Sequence, residues 1–158
     1  MTLPKIGNKA PVFRLLNQEG REVKLTDFAG RYLVLYFYPK AMTPGCTTQA
    51  CGLRDIAAEL QQLNAAVIGI SPDPVPRLKK FVEKEALNFD LLSDEQHLVA
   101  ERYGVWGLKK FMGREFLGVK RMTFIIGPDG KLAEIMDKVK TTTHHSDVIS
   151  WLRNRIKV

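Results

Sequence analysis

The sequence predicts an α/β protein, a mixed central β-sheet flanked by helices with a β-hairpin extension at the N-terminus. Three observations predict it. The run from Tyr32 to Tyr38 is continuously β-prone, which marks a central strand buried on both faces. Apolar stripes at helical spacing alternate with such runs through the middle of the chain. Late in the sequence, Gly127, Pro128, Asp129 and Gly130 join two strand patterns directly.

Taken in order, Phe13 to Leu16 and Glu22 to Leu25 flank a turn through Gly20 and predict the N-terminal hairpin. Arg31 to Tyr38 is the central strand, ended by Pro39. A helix follows from about Pro44 to Leu63, with Thr43 as N-cap and Pro44 at its first position. Its apolar stripe is Leu53, Ile56, Ala57, Leu60 and Leu63. Ala66 to Ile70 reads as a second buried strand, Val75 to Ala86 as a helix, Phe89 to Leu92 as a short strand and Glu95 to Tyr103 as a helix. Residues 104–120 read as irregular and glycine-rich. Met122 to Ile126 and Leu132 to Met136 form the late hairpin, and His144 to Ile156 closes the chain as a helix. The order β-α-β-α-β-β-α fits a thioredoxin-like core. No repeat or linker interrupts it, so a single domain is expected over 1–158.

The chain has 158 residues, 45% hydrophobic and 26% charged, which suits one globular domain and excludes a disordered chain. No stretch reaches the ~20 apolar residues of a membrane span. The start, from Met1 to Lys5, lacks an apolar secretory core, so a cytoplasmic location is expected. The formal charge of +7 raises the question of acidic partners. Its densest cluster is Lys109, Lys110, Arg114, Lys120 and Arg121, with Phe111 and Phe116 interleaved. That is no recognisable nucleic-acid motif. It reads as a solvated surface, or one that could steer an acidic protein.

Only two cysteines are present, Cys46 and Cys51. Two in a cytosolic chain do not suggest a structural staple, and an all-cysteine zinc site needs four. A redox role remains. Cys46 falls in the first turn of a helix that follows a buried strand, where free N–H groups and the helix dipole favour an anion. Lowering a thiol pKa from ~8.5 to about 6 takes roughly 3.4 kcal/mol. A helix N-terminus supplies at most ~2 kcal/mol, so a second positive charge is required. Ionisation alone gains a few tens of fold at most; the rest of a fast reaction must come from groups that meet charge developing in the transition state.

The pattern Pro39-x-x-x-Thr43-x-x-Cys46 resembles the active-site signature of peroxiredoxins. The run from Tyr36 to Cys51 resembles the bacterioferritin comigratory protein, or peroxiredoxin Q, subfamily. So do Leu91 to Asp94, Tyr103 to Gly107 and the segment Arg121, Thr123, Phe124, Ile126. The resemblance implies a thiol peroxidase that reduces hydrogen peroxide and organic hydroperoxides. It implies Cys46 as the peroxidatic cysteine and Thr43 as the hydroxyl that bonds thiolate and peroxide. Pro39 would shield the pocket, and Arg121 would supply the second positive charge. Gln49 would orient its neighbours. No metal, haem or flavin is implied, hence no cofactor.

On this reading Cys46 becomes a sulfenic acid and Cys51 resolves it as an intramolecular disulfide. In a regular helix their Cα atoms would stand roughly 8.7 Å apart, beyond the ~7 Å a disulfide tolerates. The first turns must therefore unwind, and Thr47, Thr48 and Gly52 weaken them. A bond within one chain makes a monomer the natural state. Thioredoxin is the implied reductant, with glutaredoxin as the other candidate, and neither nucleic acid nor membrane is an expected partner. Two other readings stand beside this one. One is a thioredoxin-like thiol-disulfide oxidoreductase, against which the four-residue spacing and the absence of proline from Lys120 to Thr123 count. The other is a non-catalytic binding or chaperone-like protein, or a metal site drawing on Cys46, Cys51, His97, His144 and His145; solvated histidines are the expectation there. Phe37, Trp106 and Phe111 are candidate pocket-lining residues.

Overall fold

The alternation of side chains along the central run decides the architecture. Leu33, Leu35 and Phe37 point to one face of the sheet, Val34, Tyr36 and Tyr38 to the other, and all six are buried. A strand apolar on both faces needs a layer on each side. The computed structural model describes residues 2–156, so residues 1, 157 and 158 of the domain expected over 1–158 lie outside the described residues.

The strands are Arg14–Asn17 (β1), Glu22–Lys24 (β2), Tyr32–Phe37 (β3), Ala65–Ser71 (β4), Asp90–Ser93 (β5), Trp106–Phe111 (β6), Arg114–Val119 (β7), Met122–Ile126 (β8) and Leu132–Met136 (β9). The helices are Pro44–Asp55 (α1), Ala57–Gln62 (α2), Val75–Glu85 (α3), Leu98–Arg102 (α4) and His144–Ile156 (α5). Seven strands form one sheet in the order β2-β1-β5-β4-β3-β8-β9. β3 runs parallel to β4 and β4 to β5, while β8 lies antiparallel to β3. The N-terminal hairpin joins the edge through β1 and β5. The succession β3-α1-β4-α3-β8-β9-α5 is the expected thioredoxin-like order, with β5, α4, β6 and β7 inserted before β8.

Residues of α1, α2, α3 and α5 pack on the face that carries Val34, Tyr36 and Tyr38. Residues of α4 pack with Phe13 on the opposite face. Gly69 in β4 has a steric reason: a Cβ there would stand 2.8 Å from the Tyr36 ring and 2.9 Å from Leu91.

Three expectations need correction. The helix expected from Pro44 to Leu63 is two helices. Ile56 leaves helical geometry (φ −103°, ψ 7°), and the bend lets Leu53 and Leu60 both reach the core. The helix expected from Glu95 starts only at Leu98. His97 adopts a left-handed conformation, and the Asp94 carboxylate accepts the N–H groups of Val99 and Ala100. The segment 104–120, expected to be irregular, contains an antiparallel ribbon of β6 and β7. Its two-residue turn, Met112-Gly113, has positive φ at both positions, as a twisted ribbon demands. The ribbon hides from periodicity because Leu108, Phe111, Phe116 and Leu117 are exposed and no packed layer imposes an apolar face.

Among the described residues, no helix is long and apolar enough to cross a membrane.

Candidate active site

β3 hands the chain to the site. The Tyr38 N–H still bonds the Ile70 carbonyl, and beyond it the half-buried Pro39 ends the ladder. The loop is then pinned from the neighbouring strand and helix. The Ala41 N–H donates to Asp73 Oδ2 (2.7 Å), and Arg77 Nη2 donates to the Ala41 carbonyl (2.8 Å). Arg77 Nε pairs with Asp73 Oδ1 at 3.2 Å, and the Ser71 hydroxyl donates to Asp73 Oδ2 at 2.7 Å. The pinning holds Met42 at φ 66°, a left-handed conformation that costs a non-glycine residue about 1–2 kcal/mol.

Thr43 then occupies the N-cap of α1 in an extended conformation. Its hydroxyl does not cap the helix or bond the Cys46 sulfur; it donates to the Lys40 carbonyl at 2.9 Å. Pro44 is the first helical residue and Cys46 the third, within the turn whose N–H groups have no helical acceptor. Cys46 is buried, and both cysteines are free thiols.

Sheet register delivers the second charge. β8 runs antiparallel to β3 with Phe37 opposite Met122 and Tyr36 opposite Thr123. Arg121, just before Met122, therefore stands level with the end of β3, and alternation puts it on the same face as Thr123. Its Nη2 donates to Cys46 Sγ at 3.2 Å, and its Nη1 donates to Gln49 Oε1. Gln49 is buried one turn beyond Cys46, and its Nε2 lies 3.2 Å from His144 Nδ1. His144 Nε2 lies 2.7 Å from Thr123 Oγ1. Burial, then the nearby Arg121 and His145, lower the His144 pKa to about 4. Lys109, whose ammonium donates to the Val119 carbonyl, is also pulled down, by burial and then by Arg121. The basic cluster therefore splits: Lys109 and Arg121 turn toward the site, and Lys110 pairs with Glu115 at the surface.

Cys51 lies two turns into α1, half-buried, with its Sγ 3.6 Å from Glu85 Oε1. Its pKa is raised by burial and by the Glu85 carboxylate, against the opposing effect of Arg54. Gly52 beside it permits close packing of α1 on α5: a Cβ there would meet His145 Nδ1 at 2.6 Å and its Cγ at 3.0 Å.

Several sequence expectations do not hold at the site. His144 is buried rather than solvated. His97 stacks on Trp106 at 3.8 Å and pairs with Glu101 on α4, across the sheet from the cysteines. Phe37 points into the core opposite to that of Cys46, and Phe111 is exposed at the ribbon tip. None of these aromatics lines the sulfur. Among the described residues, no three His, Cys, Asp or Glu side chains gather closely enough to hold a metal ion. Sequence reasoning missed Asp73, Arg77, Thr123 and the part played by His144. For His144 a signal existed: it falls four residues before Val148 and eight before Leu152, on the buried stripe of α5. The others carry none, because their partners are set by loop path and register.

Residues 6–135 match the AhpC/TSA family model. The chain is 53% identical over 149 residues to Peroxiredoxin Bcp of Escherichia coli K12, covering 94% of this chain and 96% of that one. It is 46% identical over 150 residues to Peroxiredoxin Bcp of Bacillus subtilis 168, covering 95% and 96%. A solved structure of Xanthomonas campestris bacterioferritin comigratory protein, described for its alkyl peroxide reduction activity, superposes with a TM-score of 0.88 at 29% identity, covering 96% of this chain and 99% of that one.

Proposed function

The chain belongs to the AhpC/TSA family, in its Bcp and peroxiredoxin Q branch, and is a thiol peroxidase acting on peroxides; within that activity we propose that Cys46 is the peroxide-attacking thiolate and Cys51 the thiol that resolves it. The observation that carries the first part is the guanidinium of Arg121 donating to a buried sulfur in the first turn of α1. Helix dipole and guanidinium together supply the two positive contributions that a thiolate in this position requires.

The thiolate attacks one oxygen of the peroxide in line with the O–O bond. A sulfur–oxygen bond forms, the O–O bond breaks, and the departing oxygen takes a proton to leave as water or an alcohol. Arg121 meets negative charge as it moves from sulfur to the oxygens. Pro39 shields the sulfur, and Thr43 turns its hydroxyl from Lys40 toward the peroxide when substrate enters. Gln49 holds the guanidinium. The sulfenic acid then reacts with the Cys51 thiol, forming the disulfide and releasing water.

In wound α1 the Cys51 thiol sits against Glu85 and is held protonated, so it is a poor nucleophile there. Unwinding removes it from that carboxylate and brings the two sulfurs into range. The domain spans the chain and acts as a monomer, since both thiols come from one helix. A dithiol of the thioredoxin type reduces the disulfide, with glutaredoxin as the other candidate. The xanthomonad relative's activity on alkyl peroxides supports organic hydroperoxides as substrates beside hydrogen peroxide.

The test is peroxide reduction with a thioredoxin system by the parent chain, Cys46→Ser and Cys51→Ser. Cys46→Ser should show no turnover. Cys51→Ser should consume one equivalent of peroxide and then recycle slowly or not at all. Undiminished turnover by Cys46→Ser would overturn the assignment.

A further inference from the structure

The buried chain of polar groups behind Cys46 has only one self-consistent arrangement of protons. Arg121 can only donate. Gln49 must therefore present Oε1 to it, which turns the Gln49 NH2 group toward His144 Nδ1. Nδ1 must then be a bare acceptor, so the imidazole proton sits on Nε2 and is donated to Thr123 Oγ1. Each choice follows from the one before it.

We propose that His144 is a positioning residue for peroxide reduction: its neutral, Nε2-protonated tautomer locks the amide of Gln49, and through it the guanidinium fork that Arg121 holds on Cys46. This rests on the reading of Cys46 as the attacking thiolate. An imidazolium would set Nδ1–H against the Gln49 NH2 group. Relieving that clash by turning the amide over would set the same NH2 group against Arg121. Either way the guanidinium loses its fixed acceptor and its aim at the sulfur.

The surroundings keep the ring neutral. Facing it are Gln49 from α1, Arg121 just before β8, Thr123 from β8, the ring of Tyr36 from β3 at 5.9 Å, and His145 beside it on α5. Among the described residues, no carboxylate is a hydrogen-bond partner of the ring. The lowered pKa of about 4 agrees with this setting. The lock joins α1, α5 and β8, and it is complete only while α1 is wound, because Gln49 belongs to the stretch between the two cysteines.

The experiment combines rapid-mixing measurement of Cys46 oxidation by hydrogen peroxide with 15N NMR of the His144 ring, on the full reduced chain. His144→Leu should slow oxidation about tenfold or more, the order expected for loosening a hydrogen bond to a charged group. His144→Asn, whose amide oxygen can stand in for Nδ1, should recover most of the rate. The ring of the parent chain should show a bare Nδ1 and a protonated Nε2. Gln49→Glu should move a proton onto Nδ1, because a carboxylate accepts from both neighbours. This reads the coupling of the ring to residue 49. The loss of rate in His144→Leu, with its recovery in His144→Asn, reads the consequence at Cys46, which a purely structural histidine would not show. A protonated Nδ1 in the parent chain, or His144→Leu reacting at the parental rate while folded, overturns the proposal. Should His144→Leu fail to fold, His144→Ala takes its place in the rate measurement, and a parental rate in that folded variant overturns the proposal. If the parent chain itself leaves peroxide intact, or if Cys46→Ser is oxidised as fast, the assignment of Cys46 fails instead, and the NMR result still stands on its own.

Discussion

The guanidinium of Arg121 stands 3.2 Å from the sulfur of Cys46, across 75 residues of chain. The contact exists because the register of β8 on β3 brings the residue before Met122 level with the end of β3. The fork is bidentate, with one arm on the sulfur and one on Gln49, and lysine cannot reproduce it. Both Arg121→Lys and Arg121→Met should slow Cys46 oxidation by hydrogen peroxide. A hydrogen bond to a charged group contributes about 1.5–3 kcal/mol, so Arg121→Met should lose roughly tenfold to a hundredfold, and Arg121→Lys less. Rapid-mixing kinetics on the reduced proteins reads this directly; equal rates for Arg121→Met and the parent would remove the guanidinium from the mechanism.

Stability should fall on mild acidification. His144 has a pKa of about 4 in the folded chain against 6.5 when free. The folded value is the lower one, so between these limits the unfolded chain binds the extra proton. The contribution is complete above about pH 6.5 and is lost as pH falls toward 4; its full size is ~3 kcal/mol. Denaturant unfolding at a series of pH values should show the decline, and His144→Leu should flatten it. A parental curve with no slope in this window would mean that the folded ring charges freely.

Oxidation should melt the start of α1. Cys46 and Cys51 lie in one regular helix as free thiols, a geometry that no disulfide spans. Amide hydrogen exchange over residues 46–53 should show much less protection in the disulfide form than in the dithiol form, with α3 and β4 unchanged. Similar protection in both forms would rule out local unwinding.

Gly52→Ala should destabilise the fold although it improves helix propensity. The gain in propensity is about 1 kcal/mol. The new methyl would stand 2.6 Å from His145 Nδ1 and 3.0 Å from its Cγ, so the ring and the α1–α5 contact must shift. Overpacking of this kind costs about 1–3 kcal/mol, which outweighs the gain. A thermal midpoint below that of the parent is the expected outcome, and a higher one would show that α5 yields easily. Gly52 then has two effects: it weakens α1 locally, as its residue type implies, and it admits α5.

Much of the fold was legible because its determinants are local. The double-faced apolar run of β3, the Thr43-Pro44 helix start and the Gly127–Gly130 turn each declare themselves within a few residues. The late hairpin and α5 were expected with the boundaries observed. The β6–β7 ribbon was not legible, since its strands are held by each other and by a positive-φ turn rather than by an apolar face. The break at Ile56 was hidden for a different reason: the helical spacing of Leu53, Ile56, Ala57, Leu60 and Leu63 continues across it, so the apolar stripe carries no mark of the break.

By itself the sequence determined the α/β class, the delivery of Cys46 to a helix N-terminus by a buried strand, and the presence of Cys51 within the same helix. These follow from propensities and spacings that act over one or two helical turns. Only the tertiary structure decided that Asp73 and Arg77 pin the loop at Ala41, that Thr43 turns its hydroxyl to Lys40, and that Arg121, Gln49, His144 and Thr123 form one line of hydrogen bonds behind the sulfur. Those partners are brought together by strand register and by the packing of α5 on α1, and a hydrogen bond between residues so far apart leaves no period in the chain.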